Sequence, residues 1–257
     1  MRAPWLISLL VGSVAFAAGP VAAPSAKADT RLGAPLLEQI ASRDGELKVG
    51  DWVTYRISGG PGREAFWRFA IVAADRDGEG REGRWVEIDI GSHPNMVSPL
   101  SQLRMLMSRD QDGERNWKVR RVLMAHGTAR PSEVDPAEVE RLMGSGTGGG
   151  QGRASHPGAR AVRGTPQRIL TQAGSVQAEP VDLFYRGTRV RRIWMSPEIP
   201  VMGLAKIEIP GSGYTMEARD YGIGAEPMMV LPKPGTAPLS LEAIGVTPPN
   251  SRKENQP

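Results

Sequence analysis

The sequence predicts a mainly β fold: a strongly curved antiparallel sheet with a few short helices. Three observations lead there. Apolar residues recur at every second position in segment after segment, short turns rich in Gly and Asp separate those segments, and a single stretch carries a helix-start signature. The same pattern also allows two packed sheets as an alternative architecture.

The first strand is read over Val49 to Ile57, where Val53, Tyr55 and Ile57 alternate with Trp52, Thr54 and Arg56. After the turn SGGPG, Glu64 to Ala74 places Trp67, Phe69, Ile71 and Ala73 on one apolar face. A turn through DRDGEGREG leads to Arg84 to Ile90, where Val86, Ile88 and Ile90 oppose Trp85, Glu87 and Asp89, completing an antiparallel meander. Ser101 to Ser108 and Asn116 to Met124 flank RDQDGER as a further hairpin. Asp135 as a cap, Pro136 at the first helical position and Glu138 then predict a short helix to Met143, with Val139, Leu142 and Met143 as its apolar side.

Residues 144–164 are Gly-rich, basic and without periodicity, and read as a flexible linker. Strand character resumes over Thr165 to Gln172, Val176 to Arg186, Thr188 to Met195, Gly203 to Ile209 and Tyr214 to Asp220. From Glu226 the chain is Pro-rich, and residues 226–257 read as a tail that is extended or disordered over the surface of the fold. The expected organisation is therefore a signal segment over 1–28, a single β-rich domain over 29–225 that contains the linker, and the tail.

The signal assignment rests on Arg2, an apolar run from Trp5 to Ala18 and a small-residue site at Ala26-Lys27-Ala28. That run falls short of the roughly 20 residues a membrane-spanning helix needs. No other apolar stretch approaches that length, so no transmembrane segment is expected after cleavage, and the mature chain is expected in the periplasm or outside the cell. The chain has no Cys, which removes thiol chemistry, disulfides and lipid attachment at an N-terminal Cys, and leaves stability to an ordinary hydrophobic core. The formal charge of +4 becomes +2 once Arg2 and Lys27 are lost with the signal. Arg153, Arg160 and Arg163 concentrate positive charge in the linker, where no acid accompanies them.

No catalytic constellation emerges. His93, His126 and His156 lie in unrelated contexts without metal-ligand spacing, so no metal or other cofactor is expected. No Ser occupies a nucleophile elbow. Gly144, Gly146 and Gly149 match a dinucleotide-binding spacing, but a helix precedes them where a strand is required. Glu87 and Asp89 share one face of their strand, and a solvated surface accounts for them. The chain is therefore read as a non-enzyme, with no nucleic-acid partner.

The informative set is aromatic and thioether. Trp52, Trp67, Phe69, Trp85, Met105, Met107, Trp117, Met124 and Trp194 all fall on predicted strands. Core packing is the default account of such a set, and an apolar acyl-chain cavity would draw on the same residue types. As candidate ligand-binding residues we take Trp52, Trp67, Phe69, Trp85, Met105, Met107, Trp117 and Trp194. Trp52 and Trp85 stand opposite the apolar face of their strands, where they would cover a second layer or line a groove.

Thr171 to Ala178, the run IWMSPEIPVMGLAKIE from Ile193 to Glu208, DYGIGA from Asp220 to Ala225, and VGDWVTY from Val49 to Tyr55 together resemble exported bacterial proteins related to the LolA/LolB lipoprotein-carrier superfamily. Trp194, Pro197, Pro200, Gly203, Leu204 and Lys206 match the pattern, and Ala205 stands where Val is usual. No residue matches the Arg that closes the lid in the carriers. The resemblance implies a curved antiparallel half-barrel with a concave apolar face under a lid of short helices. Pro197 and Pro200 would fix the turn that ends the Trp194 strand, and Gly203 would permit close backbone approach. Lys206 and Glu208 would form a structural pair. The implied function is non-enzymatic binding of a lipid, an acylated protein or another apolar ligand in the cell envelope. The alternative is a structural or interaction protein of the envelope whose partner is another protein.

Overall fold

The computed structural model describes residues 47–59, 64–109, 117–135 and 159–232. The signal segment, the helix expected up to Met143 and the Gly-rich part of the linker lie outside the described residues. Within them the chain forms twelve strands: β1 (Trp52–Ser58), β2 (Glu64–Arg76), β3 (Glu82–Gly91), β4 (Ser101–Arg109), β5 (Trp117–His126), β6 (Ser132–Glu133), β7 (Ala159–Arg163), β8 (Gln167–Thr171), β9 (Gly174–Tyr185), β10 (Thr188–Met195), β11 (Leu204–Ile209) and β12 (Tyr214–Gly222). Every pairing is antiparallel, in one continuous sheet ordered β6-β5-β4-β3-β2-β1-β12-β11-β10-β9-β7, with β8 also on β9. The first and last long strands pair with each other, so the two halves of the sequence join through β1 and β12.

The sheet is curved and does not close into a barrel. Its curl shows at the far end, where the Ala173 N–H at the tip of the β8–β9 turn donates to the Ala218 carbonyl of β12 at 3.1 Å, three strands back along the order. Strands set about 4.8 Å apart in a flat sheet would keep those residues well separated. One face therefore turns inward, and there Val53, Tyr55, Phe69, Val86, Met105, Val122, Val181, Ile193 and Met216 belong to a single buried cluster. The Tyr55 hydroxyl donates to the Leu204 carbonyl at 2.9 Å across this interior. The loop between β10 and β11 adds Ile199, Val201 and Met202 to the same cluster, all buried.

Three expectations need correction. Ala159–Arg163, read as linker, is a strand that pairs with β9 from Tyr185 to Val181. Five residues of ARAVR carry too little apolar alternation to be seen beside a Gly-rich run, and their partner strand supplies the order. The alternation puts Ala73 on the inner face with Ile71, yet it packs in an outer cluster with Val72 and Trp85. A bulge between Ile71 and Ala73 inserts one residue and reverses the alternation from that point. Glu87 and Asp89, read as solvated, are both fully buried.

The turn between β2 and β3 is tied by one carboxylate. Asp77 accepts from the backbone N–H groups of Glu79 and Arg81 at 3.0 and 2.9 Å, from Arg81 Nε at 2.7 Å and from the Ser108 hydroxyl at 2.7 Å. Burial pushes the Asp77 carboxyl up, but the hydrogen bonds from Ser108, Arg81 and Glu79 together outweigh it and hold the group well below the usual carboxylate range. A depressed native pKa means that its contribution to stability is present above the ordinary carboxylate value and is lost as pH falls through the native one. Asp77→Asn should therefore melt at a lower temperature than the wild type at pH 7. The difference should shrink steadily as the melts are repeated toward strong acid.

Candidate functional site

The inner face of β2 to β5 ends in a row of apolar side chains that its neighbours do not finish covering. Trp67 and Ile90 stand opposite each other across β2 and β3, and Leu103 and Met124 across β4 and β5. Ile88, the register partner of Leu103, brings Ile90 diagonally beside it. All four pack against the inner cluster and remain half-buried, with Ile57 diagonally beside Trp67 in the same state. Three interstrand spacings give this row a width of about 14 Å.

The structure divides the candidate ligand-binding residues. Phe69, Met105 and Met107 are fully buried in the inner cluster, where Phe69 meets Tyr55 edge-on at 5.8 Å and lies 6.2 Å from Trp67. Trp117 and Trp194 are buried in the same cluster, under the guanidinium groups of Arg109 and Arg192 at 4.6 and 5.4 Å. The Trp117 indole N–H has no hydrogen-bond partner among the described residues. Trp67 is the member of the set that reaches the half-exposed row. Trp52 and Trp85 lie on the other side of the sheet, in an outer cluster with Ala70, Val72, Leu106, Leu123, Ala125 and Met229, so they form the second layer and share no surface with the rest. Trp85 donates its N–H to Asp75 at 2.9 Å and has Arg104 and Arg121 over its ring at 5.2 and 5.6 Å.

The PEIPVMG segment acts as a loop that fills the interior. Ser196 N–H donates to the Gly203 carbonyl at 2.8 Å and closes it. The reason for glycine at 203 is its φ of 65°, in the left-handed region; an added Cβ would meet nothing nearer than the Ser196 carbonyl at 3.5 Å. Conformation, more than close approach, sets that residue. Pro197 and Pro200 lie in the loop, and Lys206 pairs with Glu208 at 2.9 Å along β11.

Sequence reasoning missed a charged network on the outer face. Asp89 accepts from Arg68 at 2.9 Å and from Gln102 at 2.8 Å, while Glu87 lies 3.7 Å from Arg68 and 3.9 Å from Arg104. Burial pushes both carboxyls above the usual range, and the neighbouring Asp89 charge adds to the effect on Glu87. The available signal was positional: Arg68 interrupts the apolar run of β2 at the parity that faces Asp89 in the register.

A polar cavity of about 390 Å³ opens elsewhere, lined by Arg56, Glu64, Phe66, Ser92, His93, Pro94, Gln172 and Arg219. None of the candidate ligand-binding residues borders it. Among the described residues no group of His, Asp and Glu side chains has the arrangement of a metal site, and no helix is long and apolar enough to cross a membrane.

The fold and site define an open, curved antiparallel sheet with an apolar inner face. No family model matches the chain, and no curated protein matches it. Among solved structures it is similar to a Bacteroides fragilis protein described as exported and YmcC-like in fold, at 7% identity and TM-score 0.33, covering 68% of this chain and 96% of that one. It is also similar to a chain of the Pseudomonas aeruginosa MucA/MucB complex, at 11% identity and TM-score 0.32, covering 76% of this chain and 58% of that one, little over half its length. A lipoprotein-sorting domain of the outer membrane from Vibrio parahaemolyticus follows, at 9% identity and TM-score 0.28, covering 76% of this chain and 93% of that one. Values this low transfer no residue role or activity, and the architecture rests on the strand pairing itself.

Proposed function

We propose that the chain is a non-enzymatic binding protein of the cell envelope, exported by its N-terminal signal, that holds the apolar chain of a lipid or acylated protein against the inner face of its sheet. The observation that carries this reading is the half-buried row of Trp67, Ile90, Leu103 and Met124, which continues the buried cluster toward solvent. Apolar surface next to a core is stabilised when another apolar body covers it, by about 25 cal/mol per Å². In this reading Phe69, Met105, Met107 and Trp194 form the floor that shapes the row, and Trp67 is the aromatic that touches the ligand.

A dansyl-labelled fatty acid tests the proposal. Its fluorescence should rise saturably on addition of the protein. Leu103→Asp combined with Met124→Glu should weaken binding at least about tenfold, since tenfold corresponds to only 1.4 kcal/mol and one buried side chain of this size contributes about 1.5–3 kcal/mol. Trp85→Phe, on the outer face, should bind as the wild type does. Equal binding by all three proteins would remove the row from the site.

A second reading, an envelope interaction protein without a small ligand, draws on a different observation. Ile199, Val201 and Met202 occupy the interior with the chain's own side chains, and the cavity described above is lined largely by charged and polar residues.

A further inference from the structure

The outer face of β2 to β5 carries a second feature, independent of the inner row. After β12 the chain turns at Ile223–Ala225, where Ala225 N–H donates to the Gly50 carbonyl at 2.8 Å, and then runs back across the outer face. Its contacts there are made through the main chain. Glu87 accepts from the N–H groups of Met228 and Met229 at 2.6 and 3.2 Å, Arg68 donates to the Glu226 carbonyl at 3.1 Å, and Arg104 donates to the Met229 carbonyl at 3.3 Å. One side chain is read as well, because Met229 is 2% exposed among Trp85, Leu106, Leu123 and Ala125. Its neighbours point away, with Val230 79% exposed. The segment belongs to no strand of the sheet.

We infer that this groove is a peptide-binding site that the chain's own tail occupies, and that it accepts an extended segment of a partner protein. The chemistry of that segment follows from the contacts: two successive residues with free backbone N–H groups, a Met- or Leu-sized side chain on the second, and carbonyls that reach Arg68 and Arg104. The charged floor of the groove suits an occupant that exchanges. A permanently covered seat is stabilised at least as well by apolar packing, and buried ion pairs often compare poorly with it. A charged floor differs when the cover leaves. Glu87 and Arg104 regain water, and Asp89 keeps its bonds to Arg68 and Gln102. The tail can leave without unpairing a strand, and the contacts it gives up are ones that another main chain can make. This is recognition through backbone groups with one anchoring pocket, as in other peptide-binding modes. Tethering makes the tail a strong competitor, because a short link gives it an effective concentration in the millimolar range.

The test uses the full chain and a fluorescein-labelled peptide with the sequence of residues 225–232. In a release variant, Met228→Pro with Met229→Gly, the tail loses an N–H and its anchor while every groove residue is retained. The peptide should bind this variant saturably and the wild type at least tenfold more weakly. A peptide with proline in the place of Met228 should not bind, and adding Glu87→Leu to the release variant should abolish binding. A release variant with the wild-type circular dichroism spectrum and no affinity for the peptide overturns the proposal. So does a release variant that fails to fold, which makes the tail part of the core. A wild-type dimer in light scattering that Glu87→Leu splits would also overturn it, by assigning the groove to the tail of a second copy.

Discussion

Alanine in place of Phe69 should lower the free energy of unfolding by about 3–5 kcal/mol, the range for removing a large aromatic from a well-packed core. Phe69 is fully buried at the middle of β2, between Val53 of β1 and Ile88 of β3 in the register, with Tyr55 edge-on to its ring. Strands pair on both sides of it, so the backbone has little freedom to collapse into the space left behind. The upper part of the range is therefore expected. Urea denaturation would show the midpoint falling with the slope unchanged, the sign of lost stability without a change in the surface exposed. Phe69→Leu refills most of the volume and should cost clearly less. Similar midpoints for the two variants would mean that the inner face is loosely packed, against the account of Phe69 as floor.

Arg68→Ala should be comparably damaging, at about 3–5 kcal/mol, for an electrostatic reason. Arg68 donates to Asp89 and stands near Glu87, and both carboxylates are fully buried. Without the guanidinium, two carboxylates two residues apart on β3 would share an interior in which Arg104 lies 3.9 Å from Glu87 and Asp89 keeps only its bond from Gln102 among those described. Adding Asp89→Asn to the variant should restore part of the loss, which a double-mutant cycle would read as coupling. The pH dependence has a definite sign. Burial has raised both carboxyls in the native state, so they take up protons above the ordinary carboxylate range. The excess cost of Arg68→Ala should thus be largest near neutral pH and fall as the solution is acidified through that range. This trend runs with acidification in the same direction as the shrinking deficit of Asp77→Asn. It begins at higher pH, because the Asp77 carboxyl is held below the usual range.

Most of the fold was legible because period-two patterns survive wherever one face is buried. β1 and β4 follow the alternation of their side chains almost residue for residue, whereas β10 turns the consecutive Ile193, Trp194 and Met195 into one cluster beside its register shifts. The pattern failed where pairing geometry overrides it. The bulge after Ile71 sends Ala73 outward, and β7 exists because β9 is long enough to pair with both β7 and β8. The site was less legible. Trp and Met residues signal burial without saying on which side of the sheet, and Trp52 and Trp85 pack in a cluster separate from the other candidates. Glu87 and Asp89 looked solvated because alternation opposite an apolar face ordinarily means water. Their cover comes from Glu226 to Met229, far along the sequence and in a Pro-rich stretch without strand character. Ile90, Leu103 and Met124 resemble ordinary core residues in sequence, and only their position at the end of the curved face distinguishes them.

Native mass spectrometry of the mature protein purified from the envelope of its own cells tests the central proposal most directly. We expect a population carrying a non-covalent adduct of lipid or acyl-chain mass, retained by Trp85→Phe and lost from Leu103→Asp combined with Met124→Glu. A bare polypeptide mass for the wild type, under conditions that preserve the folded charge-state distribution, would contradict an apolar ligand on the inner face and leave the protein-interaction reading in its place.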